Sequence, residues 1–193
     1  MKKFVFILIL YFINSSVYSQ SFSLKSGLSL SNISASQADF DEDLRVGMIF
    51  GAVTQFGDDN IKYSAELLFN QRGNKNNLHF NYLDFGFKGN FFFNDEISLN
   101  IGPSLSYLFS GEFNENLTGN QSWVKFDDDY LDDLNRLNYN ACLGLLYKIN
   151  DLLSVEYSYN IMINSISKDL ENSSSNDLKS SSSIISVSYC FNY

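Results

Sequence analysis

Proline, histidine and tryptophan each occur once in this chain of 193 residues, at Pro103, His79 and Trp123, and cysteine occurs only twice, at Cys142 and Cys190. A single imidazole leaves little scope for general acid–base chemistry. Two cysteines are too few for a disulfide-stapled scaffold. No His, Cys and carboxylate cluster stands at zinc spacing, and no glycine-rich phosphate loop occurs. Basic residues are scarce, 13 against 22 acidic ones, which disfavours nucleic acid as a partner. After the first residues, no apolar run reaches the 18 or so positions that a membrane-crossing helix needs.

The chain opens with Lys2 and Lys3, an apolar run over Phe4–Ile13, and Val17-Tyr18-Ser19 before Gln20. That is the layout of a secretory signal peptide, residues 1–19, and no cysteine follows to carry a lipid. The rest, residues 20–193, suits one domain. Without Lys2 and Lys3, 11 basic residues face 22 acidic ones, a net charge of −11.

The clearest pattern is Ile97–Phe109. Ile97, Leu99, Ile101, Pro103, Leu105, Tyr107 and Phe109 alternate with Ser98, Asn100, Gly102, Ser104, Ser106 and Leu108, the period of a strand. Strands of soluble sheets average 5–6 residues, whereas a tilted membrane strand needs roughly 9–11. Seven further stretches alternate likewise: Phe22–Leu30, Leu44–Phe56, Ile61–Gln71, Phe80–Phe93, Leu137–Ile149, Leu153–Ile163 and Ser182–Tyr193. Their connections alternate in length, 12, 5, 27 and 16 residues at one end and 4, 3 and 3 at the other. Outer-membrane barrels have short periplasmic turns and longer outside loops. The sequence therefore predicts an all-β, eight-stranded antiparallel up-and-down transmembrane β-barrel with both termini in the periplasm. Phe56, Phe93, Tyr147 and Tyr193 close the downward strands, where an aromatic girdle belongs. The opposite face is rich in Ser, Gly and Asn, small enough for a narrow lumen.

On this register Lys25, Arg45, Lys62, Arg72, Lys88 and Lys148 point inward with Glu66, Asp84 and Glu156. Charges in so narrow a space must pair or meet water, so a salt-bridged plug is expected, and an anion-selective pore would need more strands. Cys142 and Cys190 lie on strands separated by a third, too far apart for a disulfide. Pro103 cannot donate to a ladder, so a bulge or a missing bond is expected at Gly102–Pro103. His79-Phe80-Asn81 lacks the Ser two positions on that small outer-membrane lipid hydrolases use.

The outside loops are acidic. Asp39, Asp41, Glu42 and Asp43 close the first, while Glu112, Glu115, Asp127, Asp128, Asp129, Asp132 and Asp133 lie in Ser110–Arg136 together with Trp123. Asp127–Leu134 could form a short helix with Tyr130, Leu131 and Leu134 on one side. Leu131 interrupts the oxygen ligands that a calcium loop requires. Trp123, Asp127, Asp128, Asp129, Tyr130, Asp132 and Asp133 are the candidate contact residues of an otherwise solvated loop, which the barrel should not need for its stability.

Several stretches together carry a resemblance: Lys25-Ser26-Gly27-Leu28-Ser29-Leu30-Ser31-Asn32, Glu66-Leu67-Leu68-Phe69-Asn70-Gln71-Arg72-Gly73, Tyr82-Leu83-Asp84-Phe85, Ile101-Gly102-Pro103 and the final aromatic strand. On these the chain resembles the small outer-membrane β-barrel family typified by PorT-like proteins. Members often carry Lys where Arg72 stands, a longer carboxylate at Asp84 and Phe at Tyr193. The resemblance implies an outer-membrane barrel and, in some members, a role in protein secretion or gliding. The expected function is thus non-enzymatic, structural or accessory to an envelope assembly, with a lipid-modifying enzyme or a narrow channel as alternatives. Outer-membrane lipid and an envelope protein are the expected partners, with no nucleic acid, cofactor or metal.

Overall fold

A computed structural model describes residues 21–35, 43–58, 61–76, 78–117, 120–127, 131–167 and 178–191. The expected signal peptide, Asp39, Asp41, Glu42, Asp128, Asp129, Tyr130 and Tyr193 lie outside these. The described chain forms β1 (Ser21–Ala35), β2 (Arg45–Asp58), β3 (Ile61–Gly73), β4 (Leu78–Phe92), β5 (Ile97–Leu117), β6 (Asn120–Lys125), β7 (Leu137–Lys148), β8 (Leu153–Met162) and β9 (Leu178–Phe191). Eight of them, all but β6, pair antiparallel around a closed ring, with β9 returning to β1. Closure removes every edge, the condition under which strands can cross hydrocarbon.

Side-chain size and polarity follow the pleat. In β7 the exposed and buried positions alternate from Leu137 to Leu145, so Tyr139, Leu143 and Leu145 face out while Asn138, Asn140 and Cys142 face in. The outside is a continuous apolar belt that includes Leu24, Met48, Phe50, Leu67, Phe85, Leu105, Tyr157 and Ile185, each at least 39% exposed. Among the described residues no helix is long and apolar enough to cross a membrane. The crossing is made by strands.

Two of the three short connections are built by asparagine. Asn94 Oδ1 accepts from the N–H groups of Glu96 and Ile97 at 3.0 and 2.7 Å, and Asn150 Oδ1 does the same for Leu152 and Leu153 at 2.9 and 2.8 Å. These Asx turns explain how Asn-Asp pairs reverse the chain so tightly. Aromatics gather at this end: Tyr63 stacks on Phe87 and packs beside Phe56, and Phe191 contacts Phe22 and Tyr189.

At Pro103 the β4–β5 ladder skips two pairings. Gly86 pairs with Ser104 and Gly89 with Ile101, but Phe87 and Lys88 have no ladder partner in Pro103 and Gly102. On the other side β7 pairs with both residues without interruption. The backbones are so close here that a Cβ on Gly102 would lie 2.0 Å from the Phe87 carbonyl oxygen. The one true register shift lies higher, between Asn81 and Tyr82, where the partner jumps from Ser110 to Leu108. Phe109 is the extra residue, and the bulge turns Ser110 outward. There Gln71, Asn81 and Ser110 link through hydrogen bonds of 3.3 and 2.9 Å, a polar rim that closes the apolar belt on the outer side.

The outer end differs from the expected solvated loop. β5 runs on to Leu117 and β6 folds back against it, from Glu112 opposite Lys125 to Leu117 opposite Asn120. Beyond the hairpin, Phe126 and Leu131 are buried in a cluster with Ile33, Phe80, Tyr82, Leu108, Met162 and Ile166. The expectation that Ser110–Arg136 stands apart from the core is therefore corrected. An eight-stranded lumen is wide enough at its mouth to need filling, and these loop side chains fill it.

The belt makes a depth-dependent expectation. Leu105→Arg places a charge near mid-membrane and should cost about 2–4 kcal/mol, whereas Phe93→Arg, at the periplasmic edge, should cost at most about 1 kcal/mol. Urea titrations in liposomes would measure both; equal losses would contradict the depth assignment.

Candidate functional site

The inward positions of each strand stack into layers along the barrel axis. Nearest the middle, Lys25 from β1, Glu66 from β3, Lys88 from β4 and Glu156 from β8 form a ring of alternating charge. Lys25 Nζ lies 3.1 Å from Glu66 Oε1 and 2.6 Å from Glu156 Oε2, and Lys88 Nζ lies 2.8 Å from Glu66 Oε2 and 2.9 Å from Glu156 Oε1. Each ammonium touches both carboxylates. All four residues are at most 5% exposed. Desolvating four charges costs several kcal/mol per ion, and only such reciprocal pairing offsets it. Gly86, Ser104, Cys142 and Ser158 line the same level and leave a cavity of only about 20 Å³.

One layer outward, Arg72 pairs with Asp84. Asp84 also accepts from Ser106 Oγ at 2.5 Å and Asn70 Nδ2 at 2.8 Å, and Asn140 Nδ2 donates to Ser106 Oγ at 2.8 Å. The Arg72 guanidinium also sits over the Tyr82 ring, 5.0 Å from its centroid, a favourable cation–π contact. Arg45 does not join an ion pair here; its Nη1 donates to the Arg72 carbonyl oxygen at 2.5 Å.

The nine inward charges thus divide. Six of them, Lys25, Glu66, Arg72, Asp84, Lys88 and Glu156, meet in two neutral clusters. Arg45 caps a backbone carbonyl. Lys62 and Lys148 are set apart at the periplasmic mouth, their ammonium groups 5.7 and 4.4 Å from the centre of the Phe92 ring. Cys142 and Cys190 are not joined in a disulfide.

Above the Arg72 layer comes the apolar plug, which sequence reasoning missed. Its signal was a break in the alternation: Phe80, Tyr82, Leu108 and Met162 occupy inward positions where Ser, Asn and Gly stand lower down. Gly111 makes the plug possible, because a Cβ there would lie 2.3 Å from Phe126 Cδ2. Phe126 packs against Phe80 and stacks on Phe113, with centroids 5.9 and 5.7 Å away.

Of the candidate loop contacts, Trp123 lies on β6 and stacks on His79, with ring centroids 3.7 Å apart. His79 lies two residues beyond the polar rim, outside the belt. Burial, then the nearby Arg45, hold its imidazole below the usual pKa, partly opposed by Glu112. Asp132 pairs with Arg136 at 2.7 Å across one helical turn, and the Asp127 carbonyl accepts from the Leu131 N–H at 3.1 Å. Asp127 and Asp133 are exposed. The described residues hold no group of three His, Cys, Asp or Glu side chains able to bind a metal ion.

A family model described as outer membrane protein beta-barrel domain matches residues 5–191. No curated protein matches by sequence. Among solved structures, Neisserial surface protein A superposes with a TM-score of 0.52 at 12% identity, over 88% of this chain and 97% of that one. Ail, the attachment invasion locus protein of Yersinia pestis, superposes with a TM-score of 0.52 at 13% identity, over 90% and 99%. At such identities the likeness is one of fold.

Two substitutions test the interior. Glu156→Gln leaves Lys25 and Lys88 to share Glu66 and should cost about 3–5 kcal/mol, read as a lower urea midpoint in liposomes. Gly111→Val should displace the Phe126 ring and speed amide exchange in residues 78–82 while leaving β7 and β8 protected; unchanged exchange would show that the plug does not depend on that contact.

Proposed function

Since the chain belongs to the outer membrane protein β-barrel domain family and resides in the outer membrane, we propose that it acts there as a non-enzymatic barrel that presents its outer hairpin to an envelope protein. The observation that carries this reading is the filled lumen. Lys25, Glu66, Lys88 and Glu156 meet across the middle of the barrel, and the cavities beside them, about 20 and 50 Å³, have room for a few waters at about 10–15 Å³ each. The narrow-channel reading therefore has no support in the geometry. The lipid-modifying reading would need His79 beside a nucleophile, and its neighbours are Trp123, Arg45, Glu112 and the Lys75 backbone.

What remains is surface. The β5–β6 hairpin extends β5 beyond the polar rim and carries the exposed Trp123. Aromatic side chains that rest on one ring while exposing the other face are favoured anchors of protein interfaces. The finer role we propose, accessory to an envelope assembly such as protein secretion, rests on the resemblance to PorT-like barrels.

Because Phe126 and Leu131 belong to the plug, the test must spare them. Replacing Asn114–Trp123 with Asn-Gly keeps Phe113 opposite Val124 and closes the hairpin with a two-residue turn. The shortened protein should keep its heat-modifiable migration on gels and lose its crosslinked partner in intact cells. A partner retained at wild-type yield would move the working surface to the periplasmic rim.

A further inference from the structure

The periplasmic mouth departs from the charge balance of the rest of the lumen. The six buried charges are three cations and three anions, each within an ion pair. Lys62 and Lys148 also point inward, yet neither side chain has an ion pair or hydrogen bond among the described residues. Both ammonium groups lie over one ring, Phe92, at 5.7 and 4.4 Å from its centroid, so they stand no more than about 10 Å apart. Like charges held that close repel unless something anionic lies between or beside them.

The same residues line a vestibule of about 250 Å³, room for roughly eight waters at ~30 Å³ each. Its walls include Ser21, Ser23, Ser154 and Gln55, four groups with N–H or O–H donors, and Asp151 is its one acidic lining residue. Asp151 and Asp95 both attract Lys148 electrostatically, but neither forms an ion pair with it within 4 Å. Two cations and several neutral donors, beside Leu146, Leu152 and Leu153, make a pocket for a group with several acceptor oxygens.

We infer that this vestibule binds a phosphate oxyanion through Lys62 and Lys148, either as free phosphate or as the phosphate of a lipid headgroup from the periplasmic leaflet. The strands hold both lysines in place, since each occupies an inward position of a paired strand, Lys62 opposite Gly57 and Asn90, Lys148 opposite Ser154. The Phe92 ring holds both ammonium groups near one another by cation–π attraction.

The test uses the mature protein refolded in uncharged detergent, titrated calorimetrically with inorganic phosphate and, separately, with short-chain phosphatidylglycerol. Wild type should bind one equivalent of at least one probe. The double variant Lys62→Gln/Lys148→Gln should bind it at least tenfold more weakly, while Lys75→Gln, at the outer end, should stay within twofold. Saturation by phosphate alone identifies the free ion, and by the lipid alone the headgroup; either outcome supports the site. Should the double variant fail to fold, acetylation of Lys62 and Lys148 in wild type, followed by mass spectrometry, should be slowed by the bound probe relative to Lys75. Absence of saturable binding by either probe, equal binding by the double variant, or acetylation unaffected by the probe would overturn the proposal.

Discussion

Closure is the constraint from which the rest of this structure follows. A strand in hydrocarbon must give every backbone N–H and C=O a partner, and eight strands meet that demand only by returning β9 to β1. The ring so formed is narrow, so the inward positions have to be small, and Ser, Asn and Gly dominate them. The same narrowness forbids an unpaired charge deep inside. Lys25, Glu66, Lys88 and Glu156 come from four different strands and can meet only in a closed barrel. The ring of charge is a product of closure and also a lock on strand register, since a slip of one residue in β1 would send Lys25 into lipid.

Along the axis the lumen changes character. The periplasmic mouth is cationic and open, the middle is neutral and ion-paired, and the outer end is apolar. The apolar part follows from the bulge at Phe109 and the rim of Gln71, Asn81 and Ser110. Past the rim, the outside of the sheet meets water, so hydrophobic burial has to turn inward. Phe80, Phe126 and Leu131 pack there for the same reason that Phe85 and Leu105 face outward lower down. One strand thus reverses its hydrophobic face as it leaves the membrane.

That reversal marks the boundary of what could be read from the sequence. The eight membrane strands, their faces, their short turns and the interruption at Pro103 were legible, because a period of two with uniform polarity on each face leaves little ambiguity. The same period gives nine charged residues an inward register. Which of them touch was not legible. Lys25 and Glu156 are 131 residues apart and both flank β9, and only the shear of the barrel decides that they share a level while Lys62 and Lys148 fall below it. The loop Ser110–Arg136 was read as solvated because its seven acidic residues outweigh Phe113, Phe126 and Leu131 in composition. Composition averages over a segment, whereas packing selects a few side chains from it, here those facing the barrel mouth across Gly111.

The plug also bears on how the hairpin can serve as a contact surface. A loop of 27 residues without structure would lose considerable entropy on meeting a partner. In this protein β5 continues from the membrane into the hairpin, Phe113 and Phe126 stack across its base, and His79 supports Trp123 from β4, on the far side of β5. Among the described residues, the fold itself orders the base of this loop before any encounter. A partner would meet a sheet whose orientation relative to the membrane is set by the barrel wall, and preorganisation of that kind raises affinity without adding contacts. The filled lumen and the base of the hairpin are therefore one arrangement, joined where Phe113 and Phe126 stack.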